Sequence, residues 1–244
     1  MRRRQKIIAV LSGPTQGLGR ELLLQMLKRG ISVVVIGRRL QRIEKDVCSY
    51  GAQCTLSEID LNEIVDPGVA ELFDTRLSEQ LLKNNAGTIV FISNAGIVEP
   101  IGMIGSISSR DLVSSTAVNF LAPAIIANTC VRVAKRTSAK LVVVNISSGA
   151  ATHAISGWSA YCATKSAARM YVEVLKNELN GIAEVHQIDP GVMNTNMQGK
   201  VRDSTVEQFP FVANFIDYAV DGVLRAPEVV AYEILEDVFM RAVR

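Results

Sequence analysis

A tyrosine and a lysine four residues apart, Tyr161 and Lys165, have the side chains in this sequence best suited to acid–base chemistry. In a helix, that spacing places the phenol and the ammonium group on one face. A tyrosine with an ordinary pKa of about 10 is a poor acid–base catalyst at neutral pH. A fixed ammonium group beside it is expected to lower that pKa. The same pair also occurs on many helix surfaces, so its meaning depends on the rest of the chain.

Ser147 is a candidate to act on the same substrate oxygen. It ends an apolar run, Leu141–Ser147, that is typical of a buried strand. A hydroxyl delivered from a strand end can hydrogen-bond the oxygen that Tyr161 protonates. The three side chains therefore suit proton transfer to or from a carbonyl or alcohol oxygen, which is half of a hydride-transfer reaction.

A glycine-rich turn near the N-terminus is the candidate site for a hydride carrier. The segment Ser12–Gly19 reads SGPTQGLG and follows the first predicted strand. Glycines let the backbone turn sharply and approach a diphosphate, whose charge is met by the N-terminus of the next helix. The predicted cofactor contacts in this turn are Gly13, Thr15, Gln16, Gly17, Leu18 and Gly19.

The end of the second predicted strand carries two arginines, Arg38 and Arg39, directly after Gly37. A site selective for NAD would have an acidic residue there for the ribose hydroxyls, whereas arginine accommodates a 2′-phosphate. The arginines therefore favour NADPH, and the alternative is a solvated start to the next helix. At the end of the third strand, the position of Asp60 and Leu61 predicts a contact with the adenine.

Composition indicates a cytoplasmic globular protein. The chain has 244 residues, 48% of them hydrophobic and 20% charged, with a net charge of +2, so nucleic acid is not expected as a partner. The basic start, Met1–Lys6, is interpreted as a solvated tail because the apolar run behind it is too short for a signal peptide. No apolar stretch is expected to span a membrane. Cys48, Cys54, Cys130 and Cys162 have no metal-ligand spacing, so reduced thiols and no metal site are predicted.

Apolar strands alternate with amphipathic helices along the chain. The predicted strands are Ile7–Ser12, Ser32–Gly37, Gln53–Ile59, Thr88–Ser93, Lys140–Ser147 and Ala183–Ile188. The predicted helices are Gly17–Arg29, Leu40–Tyr50, Val69–Lys83, Arg110–Arg136 and Trp158–Asn180, with a last helical segment at Pro227–Arg244. Pro123 is expected to kink or break its helix. This alternation predicts a single α/β domain, a Rossmann-like doubly wound parallel sheet flanked by helices.

Several loose motifs occur in a specific order. They are the glycine turn, Ser93–Gly96 (SNAG), Asn119, Ser147, Tyr161, Lys165 and Pro190-Gly191. As an ordered set they make the chain resemble the short-chain dehydrogenase/reductase superfamily, from about Lys6 to Met197. In that superfamily a last strand usually follows the final helix, and no such strand is expected after Pro227–Arg244.

The resemblance implies a role for each matching residue. Tyr161 would be the general acid in reduction, Lys165 would lower its pKa and hold the nicotinamide ribose, and Ser147 would orient the carbonyl. Asn119 would support a proton relay through water to Lys165. The further cofactor contacts implied are Asn94, Ala95, Gly96, Pro190, Gly191, Val192 and Thr195.

A finer resemblance is to the branch that contains sepiapterin reductase and the bacterial benzil reductases. It is carried by Ile146–Ala151, Gly157–Cys162 and Asp189–Gln198. That branch implies reduction of a small or aromatic ketone or vicinal dicarbonyl with NADP(H), with a pterin ketone as the alternative substrate. It also implies a homodimer or homotetramer packed through two long helices. A non-catalytic NADPH sensor is the alternative of another class, although such proteins commonly lose the tyrosine or lysine.

Residues 198–226 are predicted to form a lid over the substrate. This segment contains Phe209, Phe211, Phe215 and Tyr218. With Trp158, these rings either form an aromatic pocket for a flat substrate or pack as helix core. A pterin would call for an acidic anchor, for which Asp217 and Asp221 are candidates.

Overall fold

Six parallel strands form one sheet, as the alternation of apolar and amphipathic segments predicts. The computed structural model describes residues 6–242. The strands are β1 (Ile7–Ser12), β2 (Ser32–Gly37), β3 (Cys54–Glu58), β4 (Thr88–Ser93), β5 (Lys140–Ile146) and β6 (Ala183–Ile188). Their order across the sheet is β3-β2-β1-β4-β5-β6, and every neighbouring pair is parallel. The sheet order reverses between β1 and β4, which makes this the doubly wound fold with its crevice at that point.

Nine α-helices connect and cover these strands in the described range. They are α1 (Gly17–Lys28), α2 (Glu44–Val47), α3 (Pro67–Asn84), α4 (Ser109–Thr116), α5 (Ala122–Thr137), α6 (Ser159–Glu178), α7 (Asn196–Arg202), α8 (Val212–Val220) and α9 (Pro227–Ala242). The last of them confirms the predicted helix as far as Ala242. The N-terminal basic tail before Lys6 and the last two residues of the chain lie outside the described range.

Alternate side chains of the central strands point into two separate cores. Ile8 and Val10 of β1 pack with α3, α5 and α6 on one face of the sheet, whereas Ala9 and Leu11 pack with α1 and α9 on the other. All four side chains are almost completely buried. Burial on both faces explains why the central strands are continuous apolar runs and not alternating ones.

The predicted helix Leu40–Tyr50 is wrong as a continuous element. The chain instead forms a 3₁₀ turn at Leu40–Arg42, then α2, then a second 3₁₀ segment at Cys48–Gln53. Gly51 inside that segment has φ +50 and ψ −126, which no helix allows. The positive φ of Gly51 ends the helical turns before β3 begins.

The predicted helix Arg110–Arg136 continues through a π-helical turn, Ala117–Leu121. Pro123 has no N–H to donate to the carbonyl of residue 119, so the helix widens there and α5 follows. By length and composition Ser109–Thr137 could cross a membrane, which corrects the expectation that no stretch could. However, 56% of its most apolar window is buried inside the protein, and it is a core helix of this fold.

Candidate active site

The carboxyl ends of the parallel strands bring the predicted site residues to one edge of the sheet. Ser12 ends β1, Ser93 ends β4, and Ser147 and Asp189 come directly after β5 and β6. The Ser147 N–H donates to the Ile188 carbonyl at 2.7 Å, so the ends of β5 and β6 stay side by side. β5 ends at Ile146, one residue earlier than predicted, which leaves Ser147 at the mouth of the crevice.

The glycine turn has the close backbone contacts that its sequence predicts. Gly13 has φ +69, and its N–H donates to the Ile36 carbonyl at 2.8 Å. A Cβ atom on Gly19 would lie 2.0 Å from the Gly13 carbonyl oxygen, so only glycine fits there. The first turn of α1 has neither an acidic residue nor a side-chain cap from Gln16. Its N–H groups and helix dipole therefore suit a diphosphate.

Asn94 joins the glycine turn to the end of β4. Its Nδ2 donates to the carbonyl oxygens of Ser12 and Gly13 at 3.1 and 3.0 Å. In return, the Ser12 hydroxyl accepts from the N–H groups of Asn94 and Ala95 at 3.1 and 3.0 Å. A Cβ on Gly96 would lie 3.7 Å from the ammonium nitrogen of Lys165. The predicted cofactor contacts Asn94, Ala95 and Gly96 thus lie between the glycine turn and the candidate catalytic lysine.

Two predicted contacts offer only their backbone to a cofactor. The side chains of Leu18 and Leu61 are 4% and 6% exposed and belong to the two cores. Thr15 is half-buried and Gln16 is exposed in the turn. The side chain of Gln16 accepts a hydrogen bond from Asn196 at 2.8 Å, which ties the turn to α7.

The arginine pair lies beside two carboxylates, Glu58 and the predicted adenine contact Asp60. Arg38 forms an ion pair with Asp60 at 3.2 Å, and the Arg39 N–H donates to Glu58 Oε1 at 3.0 Å. Burial alone would raise the pKa of Asp60, but the Asn62 N–H and the Arg38 guanidinium together lower it. Asp60 therefore holds Arg38 at the rim of the cofactor crevice, and the adenine contact assigned to Asp60 stays a prediction.

Lys165 fixes the helix that carries Tyr161 against the strand end that carries Ser147. Its Nζ donates to the Ile146 carbonyl at 2.9 Å, and the side chain is almost fully buried. The Ser147 hydroxyl is also buried and has no hydrogen-bond partner among the described residues. A buried hydroxyl without a partner is costly and is typical of a site that binds a polar ligand.

The predicted lowering of the tyrosine pKa is wrong for the protein chain alone. Burial raises the pKa of Tyr161 to about 12; the Ser148 hydroxyl lowers it, and the Asp189 carboxylate and the Cys162 thiol raise it further. Burial also lowers the pKa of Lys165 to about 8, against the effect of Asp189. The phenol is thus held protonated, because desolvation is the largest influence on its pKa.

Asn119 uses its amide to connect three elements. Its Oδ1 accepts from the Ile97 N–H at 2.8 Å, and its Nδ2 donates to the Ile97 carbonyl at 2.9 Å and to the Thr164 hydroxyl at 3.1 Å. A Cβ on Gly96 would lie 3.4 Å from Oδ1, on the side of Lys165. Asn119 therefore holds the loop after β4 against α6, and the water relay assigned to it stays a prediction.

The Pro190-Gly191 turn is held by two residues that sequence reasoning missed. The Asp189 carboxylate accepts from the Gly191 N–H at 3.0 Å, and Gly191 has φ +72. The Arg225 guanidinium donates to the Pro190 carbonyl at 3.2 Å, and the Arg225 N–H donates to the Val192 carbonyl at 3.0 Å. An acidic residue directly after the last strand was the available signal for Asp189, whereas nothing in the sequence pointed to Arg225.

The last predicted cofactor contact, Thr195, precedes α7 and lies against the glycine turn. Its methyl group is 3.2 Å from the position of a Cβ on Gly17. α7 is also joined to the loop after β4 by an ion pair between Lys200 and Glu99. The segment 198–226 contains most of α7 and all of α8, two helices that the sequence analysis did not predict.

An aromatic cluster connects that segment to Tyr161. Trp158 stacks on Phe209 with ring centroids 4.7 Å apart and meets the rings of Tyr161 and Phe215 edge-on at 5.5 and 5.4 Å. Phe209 is completely buried, whereas Phe211 is 44% exposed. The Trp158 Nε1 is buried without a hydrogen-bond partner among the residues described. The rings therefore pack as a small core that also forms a wall beside the candidate catalytic tyrosine.

Comparison with known proteins agrees with this geometry. Benzil reductase ((S)-benzoin forming) of Bacillus cereus is 30% identical over 229 residues, which cover 92% of this chain and 91% of the relative. The enzyme of that name from Bacillus subtilis is 31% identical over 229 residues, 93% and 90% of the two chains. Sepiapterin reductase of Rattus norvegicus is 28% identical over 218 residues, 82% and 79% of the two chains.

Among solved structures, the KRED1-Pglu enzyme covers 94% of both chains with a TM-score of 0.81 and 24% identity, which shows the shared fold. A short-chain dehydrogenase/reductase from Burkholderia vietnamiensis has a TM-score of 0.69 and 26% identity over 84% of this chain and 94% of its own. The sequence pattern of the short chain dehydrogenase family matches residues 7–205. This chain therefore belongs to the short-chain dehydrogenase family.

Proposed function

We propose that the protein is an NADPH-dependent carbonyl reductase that acts on a small or aromatic ketone or vicinal dicarbonyl. The observation that carries the proposal is the hydrogen bond from Lys165 to the Ile146 carbonyl. It brings the buried phenol of Tyr161 and the buried hydroxyl of Ser147, which has no partner within residues 6–242, to the same end of the sheet. The glycine turn on the neighbouring strand supports the proposal, because its contacts fit a dinucleotide.

In this proposal the protein residues hold the substrate oxygen and supply one proton. Bound NADPH would supply the hydride, which is chemistry that no side chain offers. The Ser147 hydroxyl donates to the carbonyl oxygen, and Tyr161 donates its proton to the same oxygen as the alcohol forms. The raised pKa of Tyr161 favours reduction, since the phenol keeps the proton it must give. Lys165 orients α6 and supplies positive charge.

The substrate class follows from the aromatic wall and the donors beside it. Trp158, Phe209 and Phe215 pack into one cluster against Tyr161 and suit a flat, apolar substrate. Ser147 Oγ and Trp158 Nε1 are two buried donors without a partner in the part of the chain that the structure describes, and a vicinal dicarbonyl has two oxygens. The names of the Bacillus relatives agree with a diketone substrate.

NADPH is proposed over NADH because Arg38 and Arg39 follow β2, where a 2′-phosphate would lie. Both arginine side chains are exposed at the crevice. The Asp60 carboxylate offsets part of the charge of Arg38, whereas Glu58 accepts from the backbone N–H of Arg39. Cytosolic NADPH is kept largely reduced, and a cytoplasmic location with four free thiols fits the same proposal.

We also propose a homo-oligomer that packs through α4 and α6. These neighbouring helices carry exposed apolar side chains, among them Val113 at 54% and Met170 at 65% exposure. Light scattering should show a dimer or tetramer. Val113→Glu together with Met170→Glu should give a monomer, and an unchanged mass would contradict this interface.

The proposed reaction is tested by following NADPH consumption with benzil, 1-phenyl-1,2-propanedione, acetophenone and sepiapterin, each also with NADH. We expect the diones to be reduced faster than the simple ketone and with NADPH preferred. Faster turnover of sepiapterin than of every dione would replace the diketone by the pterin and direct attention to Asp217 and Asp221. NADPH binding with no turnover of any substrate would contradict the reductase proposal and favour a sensor.

A further inference from the structure

A third charged group lies beside the candidate catalytic pair. Asp189 follows β6 directly, and the hydrogen bond between Ser147 N–H and the Ile188 carbonyl keeps the ends of β5 and β6 together. Its Oδ1 accepts from the Gly191 N–H at 3.0 Å, which fixes the direction of the carboxylate. Its Oδ2 is 3.6 Å from where a Cβ on Gly149 would lie, on the loop after Ser147. The carboxylate therefore points across the strand ends toward that loop.

Few charged groups face the two catalytic side chains in the described part of the chain. Lys165 and Asp189 meet at one peptide unit: the Ile146 carbonyl accepts from Lys165 Nζ at 2.9 Å, and the N–H of the next residue, Ser147, donates at 2.7 Å to Ile188, which directly precedes Asp189. Among the described residues, the Asp189 carboxylate is the acidic group that raises the pKa of both Tyr161 and Lys165. Tyr161 also faces the Cys162 thiol and the Ser148 hydroxyl, and Lys165 faces the ring of Tyr161 at 5.8 Å.

Two more polar groups belong to the same surroundings. The Ile146 carbonyl accepts from Lys165. The imidazole of His153 lies on the same loop as Gly149, with Nδ1 3.0 Å from the Gly149 carbonyl oxygen and 3.0 Å from the Thr152 hydroxyl.

We propose that Asp189 is a positioning residue that controls the protonation states of the catalytic pair. Its carboxylate keeps Lys165 as an ammonium ion and Tyr161 as a neutral phenol. Lys165 is almost fully buried, and a buried ammonium without a nearby negative charge loses its proton readily. The same negative charge opposes formation of a phenolate. Asp189 thereby sets both groups in the protonation state that carbonyl reduction requires. This inference rests on the proposed function for its catalytic meaning.

Two substitutions at position 189 separate the effect of the negative charge from the effect of the hydrogen bond to Gly191. Asp189→Asn removes the negative charge, but its amide oxygen can still accept from the Gly191 N–H. Asp189→Ala removes both the charge and the hydrogen bond that holds the turn. A structural role for Asp189 therefore predicts a defect only in the alanine variant, whereas a charge role predicts the same defect in both.

The direct test is the titration of Lys165 in the cofactor-free protein, followed by NMR after incorporation of ¹³C-lysine. The Lys165 resonance is identified by its absence in Lys165→Met. In the wild type we expect a midpoint near the pKa of about 8. In Asp189→Asn and Asp189→Ala the midpoint should fall by roughly one pH unit or more, the usual effect of losing a nearby opposite charge. Asp203→Asn, which removes an exposed carboxylate from the end of α7, should leave it unchanged.

Two outcomes would overturn the inference. One is an unchanged Lys165 midpoint in Asp189→Asn, with or without a change in Asp189→Ala. The other is an equal shift in Asp203→Asn, which would show an effect of net charge alone. Because no substrate or cofactor is present, this result is independent of whether any panel substrate is reduced.

The catalytic consequence has its own measurement. In Asp189→Asn, the alkaline limb of kcat/KM for reduction should move to lower pH, since the phenol loses its proton earlier. If the alkaline limb of kcat/KM stays at the same pH while the titration midpoint of Lys165 falls, the assigned effect of Asp189 on Tyr161 is contradicted.

Discussion

The ammonium nitrogen of Lys165 bonds the carbonyl of Ile146 at 2.9 Å and lies 5.8 Å from the centroid of the Tyr161 ring. The lysine therefore makes no hydrogen bond to the phenol, and it holds the tyrosine in place through the packing of α6 on β5. Burial dominates the pKa of both side chains. The pair is thus a protonated phenol beside an ammonium ion that burial makes easier to deprotonate.

Tyr161→Phe should reduce kcat for dione reduction by roughly a hundredfold or more, the usual contribution of a general acid. The phenyl ring keeps its packing against Trp158, so the fold should persist. The dissociation constant for NADPH, measured by fluorescence titration, should change little. Tyr171→Phe is the matched control. It removes from the same helix a hydroxyl that donates to the Ala124 carbonyl at 3.3 Å, and this variant should retain turnover. Full activity in Tyr161→Phe would refute the assigned acid.

Lys165→Met should change how stability depends on pH. The folded pKa of Lys165 is lowered from 10.5 to about 8, so the unfolded chain binds this proton more tightly. The cost of the buried ammonium is fully present below the folded pKa and is relieved as pH rises toward the unfolded pKa. The free energy of unfolding of the wild type should therefore rise relative to the variant by roughly 2–3 kcal/mol from about pH 7 to about pH 10.

Urea unfolding of both proteins across that range measures the difference. The matched control is Lys176→Met, an exposed lysine in the last turn of α6, for which the difference from wild type should stay flat with pH. Above about pH 10 the raised pKa of Tyr161 lowers the free energy of unfolding as pH rises, because the unfolded chain loses the phenol proton first. Both proteins contain Tyr161, so this effect is common to them. A flat difference for Lys165→Met would contradict a buried, charged lysine.

The sheet was predictable because each central strand is buried on both faces and so leaves an unbroken apolar run. The breaks at residues 40–53 were not, since short 3₁₀ segments leave no periodic pattern. In the site, spacing placed Tyr161 and Lys165 on one helix face, and strand order placed Ser147 beside them.

The electrostatics of the site could not be predicted from spacing. Whether a neighbouring ammonium or desolvation controls a phenol depends on burial, which Tyr161 acquires only when Trp158 and Phe209 close around it. The same holds for Glu58, whose approach to Arg39 follows from the pairing of β2 with β3.

Arg38→Ala with Arg39→Ala should weaken NADPH binding by roughly tenfold or more and leave NADH binding nearly unchanged. The reason is that the guanidinium groups bind the negative charge of a 2′-phosphate, whereas a 2′-hydroxyl carries no charge. Fluorescence titration with each cofactor gives the ratio. Arg42→Ala removes a neighbouring arginine from the next 3₁₀ turn and serves as the charge control. An equal loss for the two cofactors would rule out the phosphate role.

Lys200→Met should loosen α7 over the site if residues 198–226 form the proposed lid. The ion pair of Lys200 with Glu99 joins α7 to the loop after β4. Both side chains are partly exposed, so the pair contributes about 1 kcal/mol or less. We expect KM for a dione to rise roughly two- to fivefold, with a smaller rise at high salt because salt already screens the pair. The charge-swapped protein, Glu99→Lys with Lys200→Glu, should restore the wild-type KM. A KM that stays raised in the swapped protein, or one unchanged in Lys200→Met, would show that this ion pair does not hold a lid.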